Sequence, residues 1–591
     1  MLTLILAAPS PSLVNGTKFR GLRSGSPGKT FIRGRPGTFA FVQEGALPAS
    51  CYNLLFIHSL RFLQPSGKAL ASKIHSKMAH DKEISHGGLQ HNEDLEHSAT
   101  HGTYLDKEEA SHLSEEHRQY LIQRHGTLDI DPLPTMSDAD PYNWPTWKKT
   151  LNLVFVAFHA CMCAFCASAI IPAYETIAED LGVSLQRASY LTSLQIAILG
   201  GGPLFWRPLS TRYGRRPIFI ISLIGSLAFN IGCAKSQTYA AMAACRALQA
   251  FFISPPNAIG SAVVVETFFK KERARYMGVW TVMITVGIPL APLICGFITT
   301  HVGYRWIYWV LAIINGVQLV LYGLFGPETR FIRHGEVKHA TTGWAAWKEQ
   351  YLKFRRIDPT PISAIEFVSP LRLAKYPCIM VPACSYAMVF LFGSVMSTVE
   401  IPQLFAEKFH FDAQQLGLQF LGLIIGSIIG EQIGGHSSDV WMRGRAKRIA
   451  PRKPAPEFRL WLSYFGILLT ICGMVVFLVR IQQAPEGHWN VTPIIGAGIA
   501  AAGNQIVTTV LITYAVDCYP DEAGSIGVFI TFVRQTWGFI GPFWFPDMFA
   551  SVGVANSAGI VVALLVGVSL VPVAVTHWRG HKMRGEMSGR M

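Results

Sequence analysis

Three ionisable residues lie inside long apolar stretches of the sequence, where a charge is costly and therefore indicates a function. Arg246 lies in the stretch 239–264. We predict a cation there that couples to a titrating carboxylate, with structural bonding to backbone carbonyls as the alternative. Glu431 lies eight residues before Asp439, roughly 12 Å along a helix that rises about 1.5 Å per residue. A proton-carrying carboxyl and a hydrogen-bonded structural one stay equally open for Glu431. His159 is consistent with a proton relay, and a packing histidine is the alternative.

Uncharged groups in similar stretches can also contact a solute. The amides among them are Gln249, Asn257, Asn504 and Gln505. In one interpretation these amides line a polar pathway, and in the other they hold helices together. The ring of Trp537 can stack on an apolar or cationic solute, and a lipid-facing ring is the alternative.

Apolar runs of about twenty residues must position these side chains, because a helix of that length crosses roughly 30 Å of hydrocarbon. Half of the 591 residues are hydrophobic and only 15% are charged, which is too little charge to cover a soluble protein of this size. The predicted spans are 150–172, 189–209, 217–234, 239–264, 277–300, 305–326, 378–399, 414–436, 459–480, 491–516, 524–545 and 553–577. The predicted fold is therefore an all-α membrane protein with twelve transmembrane helices.

The basic residues are concentrated in alternate loops. The formal net charge is +14, yet this distribution argues against a nucleic-acid partner. Basic clusters follow the second, fourth and eighth spans, at Arg207, Arg212, Arg215, Arg216, Lys270, Lys271, Arg273, Arg275, Arg443, Arg445, Lys447, Arg448, Arg452 and Lys453. By the positive-inside rule, both termini and the segment 327–376 lie in the cytosol.

The ends of the chain differ in composition from the apolar part. Residues 1–77 are basic and of low complexity, with Glu44 their single carboxylate. An organelle transit peptide and a true start at Met78 both account for this composition, and we favour the start at Met78. Residues 78–147 are acidic and His-rich, and we expect a disordered cytosolic tail there. Residues 581–591 form a second cytosolic tail.

Two minor patterns indicate modification or packing. Asn490 opens a glycosylation sequon close to the predicted membrane surface, which is a weak signal. Cys161, Cys163 and Cys166 share one apolar span without a matching ligand set elsewhere. We therefore expect packing cysteines and no metal site.

The spans divide into two groups of six. These groups occupy 148–326 and 377–580, with a polar cytosolic linker at 327–376. The two groups match at an offset of 228, which pairs Thr150 with Cys378. Parallel six-helix repeats place a solute site near the middle of the membrane and permit alternating access by rocking of one half on the other.

Four short motifs carry a resemblance to a known family. Trp206–Pro217, after the second span, resembles its loop signature, and Arg246–Gln249 resembles its intramembrane arginine motif. Pro327–Thr329 after the sixth span is also typical. A helix 5 signature retains Gly287, Pro289, Pro292 and Gly296, with Ala291 and Cys295 in place of two glycines. Together these motifs resemble the major facilitator superfamily over about residues 140–580, and most closely its fungal branch of twelve-span drug:proton antiporters.

The resemblance implies a gate at the cytosolic ends of the helices. Its expected residues are Thr211, Arg212, Arg215, Arg216, Asp439, Asp517 and Arg534. The family's acidic residue in the first loop is replaced by Thr211, whereas Asp439 keeps the acid in the second half. A carboxylate there would cap a neighbouring helix and pair with an arginine, so a one-sided gate lock is expected.

A proton-coupled exporter of a small organic compound, a drug or a fungal secondary metabolite, is the expected function. A proton-coupled uptake permease for a polar nutrient or polyamine is the alternative, and a non-transporting nutrient sensor is a third class. The sequence has no Walker loop, dinucleotide-binding turn or nucleophile elbow, so neither an enzyme nor an ATP-driven pump is expected.

We expect no cofactor, because a proton gradient would supply the energy. The expected partners are the lipid bilayer, a small-molecule substrate and protons, with the protein as a monomer. The expected location is the plasma membrane, with a vacuolar or other internal membrane as the alternative.

Overall fold

The predicted all-α class is confirmed. The structure, a computed structural model, describes residues 113–128, 130–332, 343–351, 356–449, 455–519 and 522–588. Nearly all of this part of the chain is helical. The predicted basic segment 1–77 and most of the predicted acidic tail 78–147 lie outside the described residues.

Long helical segments account for every predicted span. We label them α1 Thr146–Leu181, α2 Leu185–Tyr213, α3 Arg215–Lys235, α4 Tyr239–Thr267, α5 Lys270–Val302, α6 Arg305–Phe325, α7 Pro377–Phe409, α8 Ala413–Ile449, α9 Trp461–Gln483, α10 Thr492–Cys518, α11 Ala523–Ile540 and α12 Val554–Arg584. Within the described residues, ten helices are long and apolar enough to cross a membrane. Segments α2 and α11 are not among those ten, because polar and charged residues interrupt their apolar character. The structure therefore supports a multi-pass membrane protein without establishing a count of twelve.

Several observed boundaries and breaks correct or refine the predicted spans. The seventh predicted span stops at 399, whereas α7 continues to Phe409 and ends at His410, whose φ of 56° breaks the helix. Helix α4 is interrupted at Ser254, where the helix restarts on Pro255. Proline has no backbone N–H to donate to the preceding turn of a helix, so a break at this point is favoured. Helix α7 contains a π-helical turn at Leu391–Met396, a feature frequent at functional sites.

Small residues let the helices approach closely. On α8, Gly426 faces the backbone of Gly498 and Gly430 faces that of Ala502, both on α10. Their spacing of four residues places them on one face of the helix. Any side chain at these positions would collide with the α10 backbone, so the glycines fix the distance between α8 and α10.

Two pairs of helices join the first half to the second, α2 with α11 and α5 with α8. A Cβ atom added to Gly296 of α5 would lie 2.5 Å from the carbonyl oxygen of Ala413 at the start of α8. Near the same end, the rings of Tyr190 on α2 and Phe543 after α11 stack with centroids 4.5 Å apart. We call the end of the bundle that carries Arg212, Lys270 and the other clustered cations the basic end. The end with Gly296 and the Tyr190–Phe543 stack is the opposite end.

Candidate functional site

A cavity lies between the two halves of the bundle. Two lobes of this cavity share Asn257 of α4, Phe390 of α7 and Arg534 of α11. The larger lobe spans about 930 Å³ counted to its open mouth.

The cavity is approached from the basic end. The described side chains of α5 from Arg275 to Val286 are exposed or partly exposed. Farther along α5, Ala291 and Cys295 are 0% and 1% exposed. At the opposite end the packing of Gly296 and the Tyr190–Phe543 stack close the space between the halves. The arrangement is therefore closed at the opposite end and open toward the basic end along α5, while α2 and α11 stay in contact at the basic end, where Arg207 lies beside Gly524.

Glu431 of α8 belongs to a polar cluster beside the cavity. Its Oε2 atom accepts hydrogen bonds from Gln505 Nε2 at 3.1 Å and from Thr509 Oγ1 at 3.3 Å, both on α10. Gln505 Nε2 also donates to Thr285 Oγ1 of α5 at 3.0 Å. Gln505 thus connects a carboxyl in the second half to a helix of the first half. Asn504, next to it, lines the cavity.

Arg534, expected among the gate residues, lines the cavity. It lies eleven positions into α11, close to its place in the predicted span 524–545, and lines both lobes. Its Nη1 atom donates to the hydroxyl of Tyr386 at 3.0 Å. Its guanidinium carbon lies 4.7 Å from the ring centroid of Phe390, which is a cation–π distance. Trp537, one turn farther on, does not line the cavity.

Arg246 is 1% exposed inside the first half. Its guanidinium donates to the carbonyl oxygens of Cys166 and Ala167, each at 3.4 Å, and lies 5.9 Å from the ring of Tyr308. Among the described residues no carboxylate bonds to it. This contact set matches the carbonyl-bonded alternative, and the coupling of Arg246 to a carboxylate stays a prediction.

Gln249, one turn beyond Arg246, hydrogen-bonds Gln195 of α2 and donates to Ser226 Oγ of α3 at 3.2 Å. Its contacts therefore connect three helices of one half. His159 lies with Nε2 3.1 Å from Ser222 Oγ and is 2% exposed. Gln249 and His159 do not line the cavity. Their contacts match the alternatives stated for them, interhelical bonding for Gln249 and packing for His159.

Comparison with known proteins gives the family. A sequence profile of the Major Facilitator Superfamily matches residues 156–542. The chain belongs to the major facilitator superfamily. It is a transporter rather than an enzyme, as the sequence predicted.

Curated relatives of this major facilitator protein are fungal transporters and efflux pumps. MFS-type transporter atr4 of Stereocaulon alpinum is 28% identical over 439 residues, which are 72% of this chain and 77% of that protein. Efflux pump radE of Floropilus chiversii is 25% identical and covers 76% of this chain and 83% of its own. The crystal structure of peptide transporter POT in complex with alafosfalin matches with a TM-score of 0.52 at 15% identity, over 72% of this chain and 94% of that one, and shows a shared fold.

The helix 5 signature lies where α5 meets two other helices. A Cβ added to Gly287 would lie 2.7 Å from the carbonyl oxygen of Cys161 on α1, while Gly296 abuts α8. Helix α5 runs without interruption through Pro289 and Pro292. The retained glycines thus lie at the contacts of α5 with α1 and α8.

The loop signature of the first half binds its own helix and residues that follow α6. Thr211 Oγ1 donates to the carbonyl oxygen of Arg207 in its own helix. Glu328, after α6, accepts from the backbone N–H groups of Arg215 at 2.8 Å and Arg216 at 3.0 Å. Burial raises the pKa of the Glu328 carboxyl, and the backbone donors oppose that shift. A carboxylate does cap a helix here, but it comes from α6 and caps α3.

The arginines of that signature have separate partners. Arg212 pairs with Asp358 and, at 2.7 Å, with Glu366 of the linker. The side chain of Arg215 lies 2.7 Å from Glu266 at the end of α4. Arg216 donates to the carbonyl oxygens at the end of α6.

Asp439 and Asp517 share one arginine at the basic end of the second half. Arg459 lies 3.3 Å from Asp439 and 3.2 Å from Asp517. This triad joins the ends of α8, α9 and α10. Asn490 lies at the opposite end on an exposed turn, where its side chain accepts from Thr492; glycosylation there stays a prediction.

Glu400 is a buried carboxyl that sequence reasoning missed. It lies on α7 near the opposite end, is 1% exposed, and its Oε1 atom has no hydrogen-bond partner among the described residues. The predicted seventh span ends one residue before Glu400, which places Glu400 in a loop. Apolar side chains continue beyond it to Phe405 and Phe409, and this continuation indicates that the helix extends past Glu400.

Proposed function

We propose that this protein is a proton-coupled exporter of a small organic compound that works by alternating access. The observation that carries the proposal is the cluster of Glu431, Gln505 and Thr285, because it joins a partly buried carboxyl to a contact between the two halves. Ionisable groups at membrane depth are costly and mark ion or substrate pathways.

The proton would act through Gln505. The hydrogen bond from Gln505 to an ionised Glu431 is strong, since hydrogen bonds to charged acceptors are about twice as strong as neutral ones. Protonation of Glu431 would weaken this hydrogen bond and thereby change how the Gln505 amide binds Thr285 of the other half. Charge on one carboxyl thereby biases the rocking of the halves.

Export is the favoured direction. The cavity opens toward the basic end, and the basic loops are expected to face the cytosol. A solute would therefore enter from the cytosol in the conformation described above. Several relatives bear the name efflux pump, which supports the same direction.

The proposal includes a twelve-span architecture built from two six-helix repeats, 148–326 and 377–580. Helices α2 and α8 begin at Leu185 and Ala413, 228 positions apart, which is the sequence offset of the repeats. The preceding residues, Ser184 and Asp412, both accept a hydrogen bond from the backbone of the new helix. Conserving a cap at the same repeat position favours a common structural unit.

The remaining parts of the proposal concern the setting of the protein. The linker 327–376 and both termini would lie in the cytosol, and the protein would act as a monomer in the plasma membrane. A proton gradient would drive it, with no cofactor.

Reconstituted vesicles test the function. Purified protein in proteoliposomes is given an imposed pH gradient, and a panel of labelled organic compounds is screened for flux with and without a protonophore. Gradient-driven movement of a compound opposite to the protons supports export. Movement in the same direction as the protons would support the uptake alternative, and no gradient dependence for any compound would refute proton coupling.

A further inference from the structure

Arg534 presents a cation to the cavity with only neutral protein groups against it. Its contacts are the hydroxyl of Tyr386 and the ring of Phe390. Its Nε atom is buried without an acceptor. Among the described residues no carboxylate lies within ion-pair distance of this guanidinium.

Other arginines of the bundle have oxygen acceptors in the protein. At the basic end, Arg212, Arg215 and Arg459 each lie between 2.5 and 3.2 Å from a carboxylate oxygen, and Arg246 donates to two backbone carbonyl oxygens. A charge removed from water needs such acceptors, because burying it unpaired is costly. The cation–π contact with Phe390 supplies only about 0.5–2 kcal/mol.

The carboxyls nearest in the fold are engaged or located elsewhere. Glu431 accepts hydrogen bonds from Gln505 and Thr509 of α10 and forms no ion pair with Arg534 among the described residues. Glu400 lies about 10 residues beyond Phe390 on α7, roughly 15 Å along that helix. The positive charge of Arg534 is therefore available to a bound molecule.

The rest of the cavity is apolar with a few amides. Ile284 and Ile288 of α5 contribute aliphatic surface next to Phe390. Asn257 and Asn504 also line the larger lobe, and each has a buried side-chain oxygen without a partner. Such amide oxygens accept hydrogen bonds from hydroxyl or N–H donors.

We infer that the transported compound is an organic acid, with its carboxylate bound by Arg534. Its hydrophobic body would pack on Phe390 and the isoleucines, and its hydroxyl groups would donate to Asn257 and Asn504. The planar guanidinium favours a carboxylate because it offers two parallel donors to the two oxygens. The inference rests on the proposed function for transport, whereas the binding step is independent of it. A polyamine would meet repulsion from Arg534.

Three probes of the same skeleton test the charge preference. Isothermal titration calorimetry of the full-length protein in detergent would compare 4-hydroxyphenylacetate, its methyl ester and tyramine. These probes are anionic, neutral and cationic at neutral pH. We expect the acid to bind most tightly and tyramine most weakly. Arg534→Gln should weaken binding of the acid by roughly tenfold or more, with little change for the ester.

Two further variants separate binding from folding. Arg534→Lys keeps the charge and should retain part of the affinity for the acid. Arg480→Gln is a matched control on an exposed arginine at the opposite end, and should bind as the wild type does. Failure of the acid to bind the wild type, tighter binding of tyramine, or unchanged affinity in Arg534→Gln would overturn the inference. If the acid binds as expected but no pH gradient drives its flux, the proposed function fails, while the assignment of Arg534 as the binding site for an organic carboxylate stands.

Discussion

Replacement of Glu431 by glutamine is the most direct perturbation of the proposed mechanism. The amide has nearly the same shape but stays neutral, so Glu431→Gln mimics the protonated carboxyl. In the structure Glu431 Oε2 accepts two hydrogen bonds, from Gln505 and Thr509. A hydrogen bond to a charged group contributes about 1.5–3 kcal/mol, against roughly 0.5–1.5 kcal/mol for a neutral pair. Neutralising Glu431 should therefore weaken the cluster by roughly 2 kcal/mol, which is about a 30-fold shift in a two-state equilibrium.

The assay is flux in proteoliposomes with and without an imposed pH gradient. We expect Glu431→Gln to reduce gradient-driven flux to the rate seen without a gradient, while exchange of substrate between the two sides persists. Glu407→Gln, an exposed carboxylate on α7, is the matched control and should behave as the wild type does. Full gradient-driven flux in Glu431→Gln would refute the role of this carboxyl as the proton carrier.

Three further predictions concern the ends of the bundle. Glu400→Met removes a buried carboxyl whose Oε1 is unpartnered, and should raise the thermal midpoint by roughly 2–4 °C, because about 1 kcal/mol of burial cost is relieved; a lowered midpoint would contradict this. Gly296→Leu inserts a side chain where even a Cβ would lie 2.5 Å from the carbonyl oxygen of Ala413, which costs about 1–3 kcal/mol. It should move α5 and α8 apart at the opposite end of the bundle, and a spin-label distance between the two helices there should be longer than in the wild type. An unchanged distance would argue against closure at that contact. Asp439→Asn weakens the partly exposed pair with Arg459 by at most about 1 kcal/mol. Because this pair lies within the second half, cysteine accessibility at the two faces should stay close to that of the wild type, and a clear shift would favour a gate role for Asp439.

Sequence periodicity was enough to predict the long helices. Apolar runs of about twenty residues have one stable solution in lipid, a helix that satisfies its own backbone. Gly426 and Gly430, four residues apart on one helix face, both approach the α10 backbone. The predicted end of the seventh span lies ten residues before the end of α7. The carboxylate of Glu400 indicates the start of a loop as long as its burial is unknown.

The site was harder to predict, because its members come from separate helices. Asn504, Gln505 and Glu431 were each expected near a pathway, and the structure brings Gln505 and Glu431 into contact. Their connection to Thr285 depends on how the two halves dock, which no local pattern encodes. Arg534 was expected at a gate, where salt bridges near the cytosolic helix ends are typical, although its predicted span 524–545 begins within one residue of the observed α11. That its side chain lines the cavity beside Phe390 depends on how α11 packs against α7.

The arrangement at the basic end explains how a gate can work without the acid that Thr211 replaces. Glu328 caps α3, and Arg459 joins Asp439 to Asp517. Each of these contacts lies within one half, so each half moves as a unit and its carboxylates stay paired. Contacts between the halves lie at the opposite end, at Gly296 and in the Tyr190–Phe543 stack, and continue along α2 and α11, where a Cβ on Gly200 would meet Gln535 and one on Gly524 would meet Arg207. In the proposed mechanism, rocking exchanges the contacts at the opposite end for others while the clamps within each half persist. The hydrogen bond between Gln505 and Thr285 also joins the halves, so the charge on Glu431 would bias this motion through Gln505.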